Sequence, residues 1–306
     1  RPQVRILQCP QRGCVEAVDR SSAGRSSWLL VLASLLFAAM AVCAKEAARH
    51  LPGAEIACLR FILGAATVLG LAAARVLRLR AYNPWALLLR GTLGGSGVLL
   101  YFMAISHLPV GVATLLNNSS PLFVAVFSWL FLREPFSVRT LFALMLTSLG
   151  VVLVVLGNAP AAGGPALSLK WVLMGLGSAV FAGGAVTTMR AMRKREGAWE
   201  IFLALCVIGG VITGVPTVFE HVWPTSRDWF WVALTGVFSV GSQVLLTYSL
   251  RDVPAVRAGL ILQLTPILTF VLGALWLAEF PSWLGWLGSA VTIGGVSWGM
   301  LTRRSG

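Results

Sequence analysis

The sequence is short of charge. Only 11% of its 306 residues are Asp, Glu, Lys or Arg, against 57% that are hydrophobic. A soluble globular chain carries about 25% charged residues, so a water-facing globule is excluded and an integral membrane protein is implied. Acid is scarcest: 11 Asp and Glu stand against 24 Lys and Arg, for a net charge of +13. Such an excess can mark nucleic-acid binding. Here, however, the basic residues sit in short joints between apolar runs, a signal of membrane topology, and no nucleic-acid partner is expected. Five cysteines make no disulfide framework: Cys43, Cys58 and Cys206 lie inside apolar segments, where a thiol behaves as a small hydrophobe. Cys9 and Cys14 have no second pair and no nearby histidine, so no metal site and no cofactor are expected.

Ten apolar segments remain, at about 28–47, 55–75, 85–106, 110–131, 137–157, 169–190, 199–219, 229–249, 256–277 and 283–302. Each approaches the roughly 20 residues that cross a bilayer. Arg78-Leu79-Arg80, Arg133-Glu134-Pro135, Gly163-Gly164-Pro165 and Arg193-Lys194-Arg195 punctuate them. The second half repeats the first at a constant spacing of 145 residues: Gly91 with Gly236, Pro109 with Pro254, Ala113 with Ala258, Pro121 with Pro266, Glu134 with Glu279, Gly150 with Gly295. Lys and Arg alternate in abundance. Arg75, Arg139, Arg190, Arg251, Arg257, Arg303 and Arg304 share one side with the N-terminus, and the other side holds only Lys45, Arg49, Lys170 and Arg227. Positive-inside then puts both termini in the cytoplasm. Five crossings per half invert the second half relative to the first. The expected fold is all-α and integral to the membrane, ten transmembrane helices as a 5+5 inverted repeat. Residues 1–26 form a disordered cytoplasmic tail, 27–158 the first repeat and 169–302 the second. Tryptophans near segment ends, Trp28, Trp85, Trp223 and Trp283 among them, suit interfacial belts.

The sequence resembles the EamA-like branch of the drug/metabolite transporter superfamily over residues 28–302. Three stretches carry the resemblance: Glu55 to Phe61; Ala104 to Pro109 with Ala113 to Pro121 and Leu132 to Pro135; and the echo of the latter at Pro254, Ala258, Thr265-Pro266 and Glu279 to Pro281. It implies ten helices, an inverted repeat and movement of small metabolites or amino acids, often outward. It also draws attention to Arg60, since family members often carry a basic residue there, and an anion-attracting role at the outer mouth is one expectation for it.

Polar residues within apolar segments need a reason. Asn117, Asn118 and Ser120 precede Pro121, and their repeat partners Gln263 and Thr265 precede Pro266. Each proline removes a backbone donor, so loosened helices beside amides can line a substrate site; the alternative is hydrogen-bonded packing between helices. Tyr101, Tyr248 and Gln243 are further lining candidates, with interfacial tyrosine as the alternative. Arg60 and Arg90 are long enough to snorkel outward and inward respectively, and Lys45 and Glu46 read as a solvated helix end. The lack of Asp or Glu at mid-segment favours a neutral or zwitterionic solute over a cationic drug exchanged for protons. The expected function is a secondary transporter, an exporter of a small polar metabolite such as an amino acid, working by alternating access in the plasma membrane (the inner membrane in a bacterium). The fifth and tenth helices are expected at the periphery, where a homodimer would form. A passive channel or a lipid-moving protein is the alternative. Gly94-Gly95-Ser96-Gly97 matches the G-x-S-G of intramembrane serine proteases, but such a serine needs a histidine base in reach. His50, His107 and His221 all fall at outer ends, so no catalytic residue is assigned and no enzyme is expected.

Overall fold

The computed structural model describes residues 11–77, 79, 82–132, 138–157, 168–192, 196–249, 258, 261–280 and 282–302. The joints read at Arg133-Glu134-Pro135, Gly163-Gly164-Pro165 and Arg193-Lys194-Arg195 lie outside them, as do Pro254 and Gly259. All regular structure among the described residues is helical: α1 (Gln11–Ala47), α2 (Gly53–Ala73), α3 (Pro84–His107), α4 (Val110–Asn117), α5 (Ser120–Leu132), α6 (Val138–Gly157), α7 (Leu169–Met192), α8 (Ala198–Phe219), α9 (Ser226–Ser249), α10 (Leu264–Leu277) and α11 (Trp283–Thr302). Six spans, in α1, α2, α3, α7, α8 and α9, are long and apolar enough to cross a membrane, and α10 is a shorter apolar helix.

Local chemistry sets the helix ends. Pro52 and Pro109 stand immediately before α2 and α4, where a missing N–H costs nothing. Asn83 caps α3: its side chain accepts from Ala86 N–H at 3.2 Å, with Pro84 in the first turn. Glu196 in turn accepts from the Tyr82 and Asn83 N–H groups at 2.8 and 2.6 Å, tying the start of α3 to the start of α8.

Two expectations change. The fourth segment is two helices, not one: α4 stops at Asn117 and α5 begins at Ser120. Part of the expected disordered tail, residues 11–26, instead continues α1 toward the N-terminus.

Two pairs of repeat partners pack against each other, α6 on α11 and α2 on α8, while α4 lies on α10, α1 on α9 and α3 on α7. The contacts are reciprocal. A Cβ on Gly64 would meet Cys206 Sγ, and one on Gly209 would meet the Phe61 ring; Gly64 and Gly209, like Phe61 and Cys206, are repeat partners. Gly150 abuts Thr292 while Gly295 abuts Thr147. Exchanging the halves therefore maps each contact onto another, as a local two-fold requires. The interface between α6 and α11 presents glycine to backbone, the close approach that small residues permit between apolar helices. Phe142, Met145, Leu149 and Val152 of α6 face outward.

Candidate functional site

Both polar breaks are real and they touch. Asn118 caps the C-terminus of α4 at φ −74°, ψ 1°, and Pro121 follows in the first turn of α5. In the other half Gln263 sits in a turn at φ −65°, ψ −9° just before α10, with Pro266 following. The Gln263 side chain donates from Nε2 to the Asn118 carbonyl at 3.3 Å, a bond between repeat partners 145 residues apart. That carbonyl is one of the groups a helix end leaves without an internal partner. The Asn118 Nδ2 donates to Thr114 O at 3.0 Å, and Ser119 Oγ donates to Leu115 O at 3.3 Å.

Beside this junction lies a cavity of about 170 Å³. Asn117, Asn118 and Ser120 line it from the first break and Thr265 from the second, with Tyr101, Gln243 and Arg60 also on its wall. Gln263 is buried behind the lining and acts through the bridge. Tyr101 OH bonds Thr114 Oγ1 at 2.9 Å, and the Thr114 hydroxyl donates its hydrogen bond to Val110 O at 2.8 Å, so the tyrosine hydroxyl is the donor between them. Ser178 Oγ lies 3.1 Å from Asn117 Oδ1 and 2.6 Å from Gly175 O. Phe37, Met40, Val98, Leu205 and Leu246 supply apolar wall, so polar groups are few and spaced, as in small-molecule sites generally.

Tyr248 does not belong to this wall. It is 45% exposed near the end of α9, and interfacial tyrosine describes it better. The two arginines differ more from expectation. Arg60 does not snorkel outward: it is 2% exposed, and Arg90, expected to reach inward to water, is 5% exposed. Both residues line the cavity. Arg60 Nη1 donates to Ser239 Oγ at 2.7 Å and lies 3.3 Å from Met40 Sδ. The group stands over the Phe61 ring at 4.5 Å and the Phe102 ring at 5.2 Å, which offsets part of the cost of burial. Arg60 Nε and Nη2, and Arg90 Nε, find no protein acceptor. Placing an ion in low dielectric without a partner costs on the order of several kcal/mol. Arg90 is the lining residue that the sequence reading missed; its place within an apolar segment was the signal available, but packing of elements far apart in the chain is what brings it beside Arg60, Tyr101, Asn117 and Gln243.

Ion pairs among the described residues gather at one end of the bundle. Lys45 Nζ lies 3.8 Å from Glu279 Oε1 and donates to Ile105 O at 2.9 Å and Leu108 O at 2.7 Å. Glu279 Oε2 accepts from Val110 N–H at 2.6 Å, at the start of α4. Burial raises the Glu279 carboxyl above its ordinary value, and the Lys45 charge opposes that rise. Glu46 is buried and pairs with Arg49 at 2.9 Å and Arg227 at 3.6 Å, His50 with Asp228 at 3.4 Å, and His221 with Glu55 at 2.8 Å. Lys45 and Glu46 thus form a latch rather than a freely solvated helix end.

The EamA-like transporter family matches the chain twice, over residues 25–156 and 169–300. A pseudopaline exporter of Pseudomonas aeruginosa is 31% identical over 271 residues, covering 87% of this chain and 90% of that protein. Human solute carrier family 35 member G1 is 26% identical, covering 64% of this chain and 57% of that protein. A crystal structure 23% identical to the chain superposes with a TM-score of 0.62, covering 92% of this chain and 98% of the other, and shares the fold. With both halves matched and the helix breaks of the two halves meeting at one cavity, the chain belongs to the EamA-like transporter family, a membrane transporter and not an enzyme.

Proposed function

We propose that the chain is a secondary transporter that exports a small polar metabolite, an amino acid or related neutral or zwitterionic solute, by alternating access. The observation that carries this is the bond between Gln263 and Asn118 at the edge of the cavity. Repeat partners that meet at their helix breaks support a site near the symmetry axis, where rocking of one half against the other would change its access. Ten crossings in a 5+5 inverted repeat are the topology that the reciprocal contacts of α2 with α8 and α6 with α11 support. Basic residues then put the end of the bundle opposite the ion pairs in the cytoplasm of the cell membrane, together with both termini.

Direction follows from which end is shut. The ion pairs of Lys45 and Glu46 close the end where α1 finishes and α2 begins. The cavity reaches toward the other end, past Arg90 near the start of α3, Met189 near the end of α7 and Leu246 near the end of α9. A site loaded from the cytoplasm and latched outside suits an exporter, and the activity in the name of the Pseudomonas relative agrees. The test is counterflow of labelled amino acids in proteoliposomes. Saturable uptake accelerated by the same solute inside the vesicle is expected. Flux that rises linearly without saturation indicates a channel and overturns the proposal; movement of labelled phospholipid in place of solute overturns it in favour of a lipid-moving protein.

A further inference from the structure

The cavity holds two buried arginines and no acid. None of its described lining residues is Asp or Glu, yet Arg60 and Arg90 both line it. Packing alone does not account for them. A buried cation retained for structure is normally matched to a carboxylate or covered by carbonyls. Arg60 has one anchored nitrogen, Nη1, held by Ser239. Its Nε and Nη2 are buried and have no protein acceptor. These two nitrogens form the side-on edge of a guanidinium, with their N–H bonds parallel, the geometry that takes both oxygens of a carboxylate. Phe61 and Phe102 flank the group, and Ser239 fixes it from the opposite edge, so the fork is held in one orientation before any solute arrives.

Resting on the proposal that this cavity carries the solute, we propose that Arg60 is a carboxylate fork, aided by the charge of Arg90, and that the cargo bears a carboxylate. The class narrows accordingly. A zwitterion would seat its carboxylate on Arg60 and its remaining polar atoms on the amides and hydroxyls of Asn117, Asn118, Gln243 and Tyr101. A second carboxylate would be welcomed by Arg90, whereas sugars lack the charge to match and net cations are repelled. Arg60 would then be the residue that discriminates an acid from its ester.

The experiment uses the full chain in lipid nanodiscs, with thermal unfolding in the presence of glutamate, glutarate, glycerol phosphate, glucose and the dimethyl esters of the two acids; binding to the folded state raises the unfolding temperature. The same compounds are followed in proteoliposome counterflow. We expect glutarate and glutamate to stabilise the protein while their esters and glucose do not. Arg60→Gln should weaken that stabilisation at least tenfold in apparent affinity. Arg60→Lys, which keeps charge but loses the fork, should fall between the two, and this ordering guards against a simple loss of folding. Equal binding of acid and ester, or full binding by Arg60→Gln, overturns the fork while leaving the transporter in place. Stabilisation by glycerol phosphate in preference to both acids overturns the carboxylate assignment. Arginine-dependent binding of acids without any flux supports the fork and overturns the carrier. Silence toward every compound in both assays overturns both.

Discussion

Gly150 should be intolerant of a single methyl group. A Cβ there would stand 2.4 Å from both the backbone nitrogen and Oγ1 of Thr292, and 2.7 Å from Gly288 O. Ordinary contact lies near 3.5 Å, and a backbone atom cannot rotate away, so α6 and α11 must part by about 1 Å. Gaps of that size forfeit a quarter to a half of each contact's attraction along the seam. Overpacking of this kind costs about 1–3 kcal/mol, against a gain of about 0.5–1 kcal/mol in helix propensity for replacing glycine with alanine. The net expectation for Gly150→Ala is a loss of about 1–2 kcal/mol. Gly70→Ala is the control: nothing lies within 4 Å of its added Cβ, so it should gain about 0.5–1 kcal/mol. Gly295→Ala meets Thr147 Oγ1 at 2.5 Å and its nitrogen at 2.8 Å and should behave like Gly150→Ala. Since both open the same seam, the double variant should cost less than the sum. Reversible unfolding in mixed detergent micelles reads all four. A Gly150→Ala protein as stable as the parent would refute the packing of α6 on α11, and a destabilised Gly70→Ala would refute the sign of the argument.

Gln263→Leu should lower counterflow while leaving expression intact, because the bridge runs from this side chain to a backbone carbonyl. For the same reason Asn118→Leu should combine with it additively, and a coupling energy above about 0.5 kcal/mol in the double-mutant cycle would show that the side chains themselves pair. Glu279 supplies a pH dependence. Burial raises its folded value above the ordinary 4.5, so the folded protein holds this proton more tightly than the unfolded chain. Stability from the protonated form is therefore fully present below the unfolded value and is lost as pH rises through the folded one. Glu279→Gln should flatten the unfolding profile across that window and, by removing the charge that meets Lys45, make transport less sensitive to mild acid. An unchanged profile in the variant would show that another group titrates there.

Membrane class, apolar segments and the repeat were legible in the sequence because each rests on composition or spacing: a bilayer demands long apolar stretches, and a duplicated half keeps its glycines and prolines in register. The amides before Pro121 and Pro266 were legible for the same reason, since polar groups stand out against apolar neighbours. Where side chains point was not. Arg60 and Arg90 read equally well as snorkelling residues, and only the packing of α2 and α3 against α7, α8 and α9 turns both into one cavity. Tyr101 and Tyr248 looked alike in sequence, yet Tyr101 is buried against Thr114 and Tyr248 is exposed, because a difference of rotation about a helix axis leaves no trace in local composition. Lys45 needed Glu279 from the far half of the chain to become a latch. Sequence by itself determined what must leave water and which segments correspond. Tertiary structure decided which correspondents touch, and so where the cavity lies and which charged residues line it, since those depend on contacts between residues far apart in the chain.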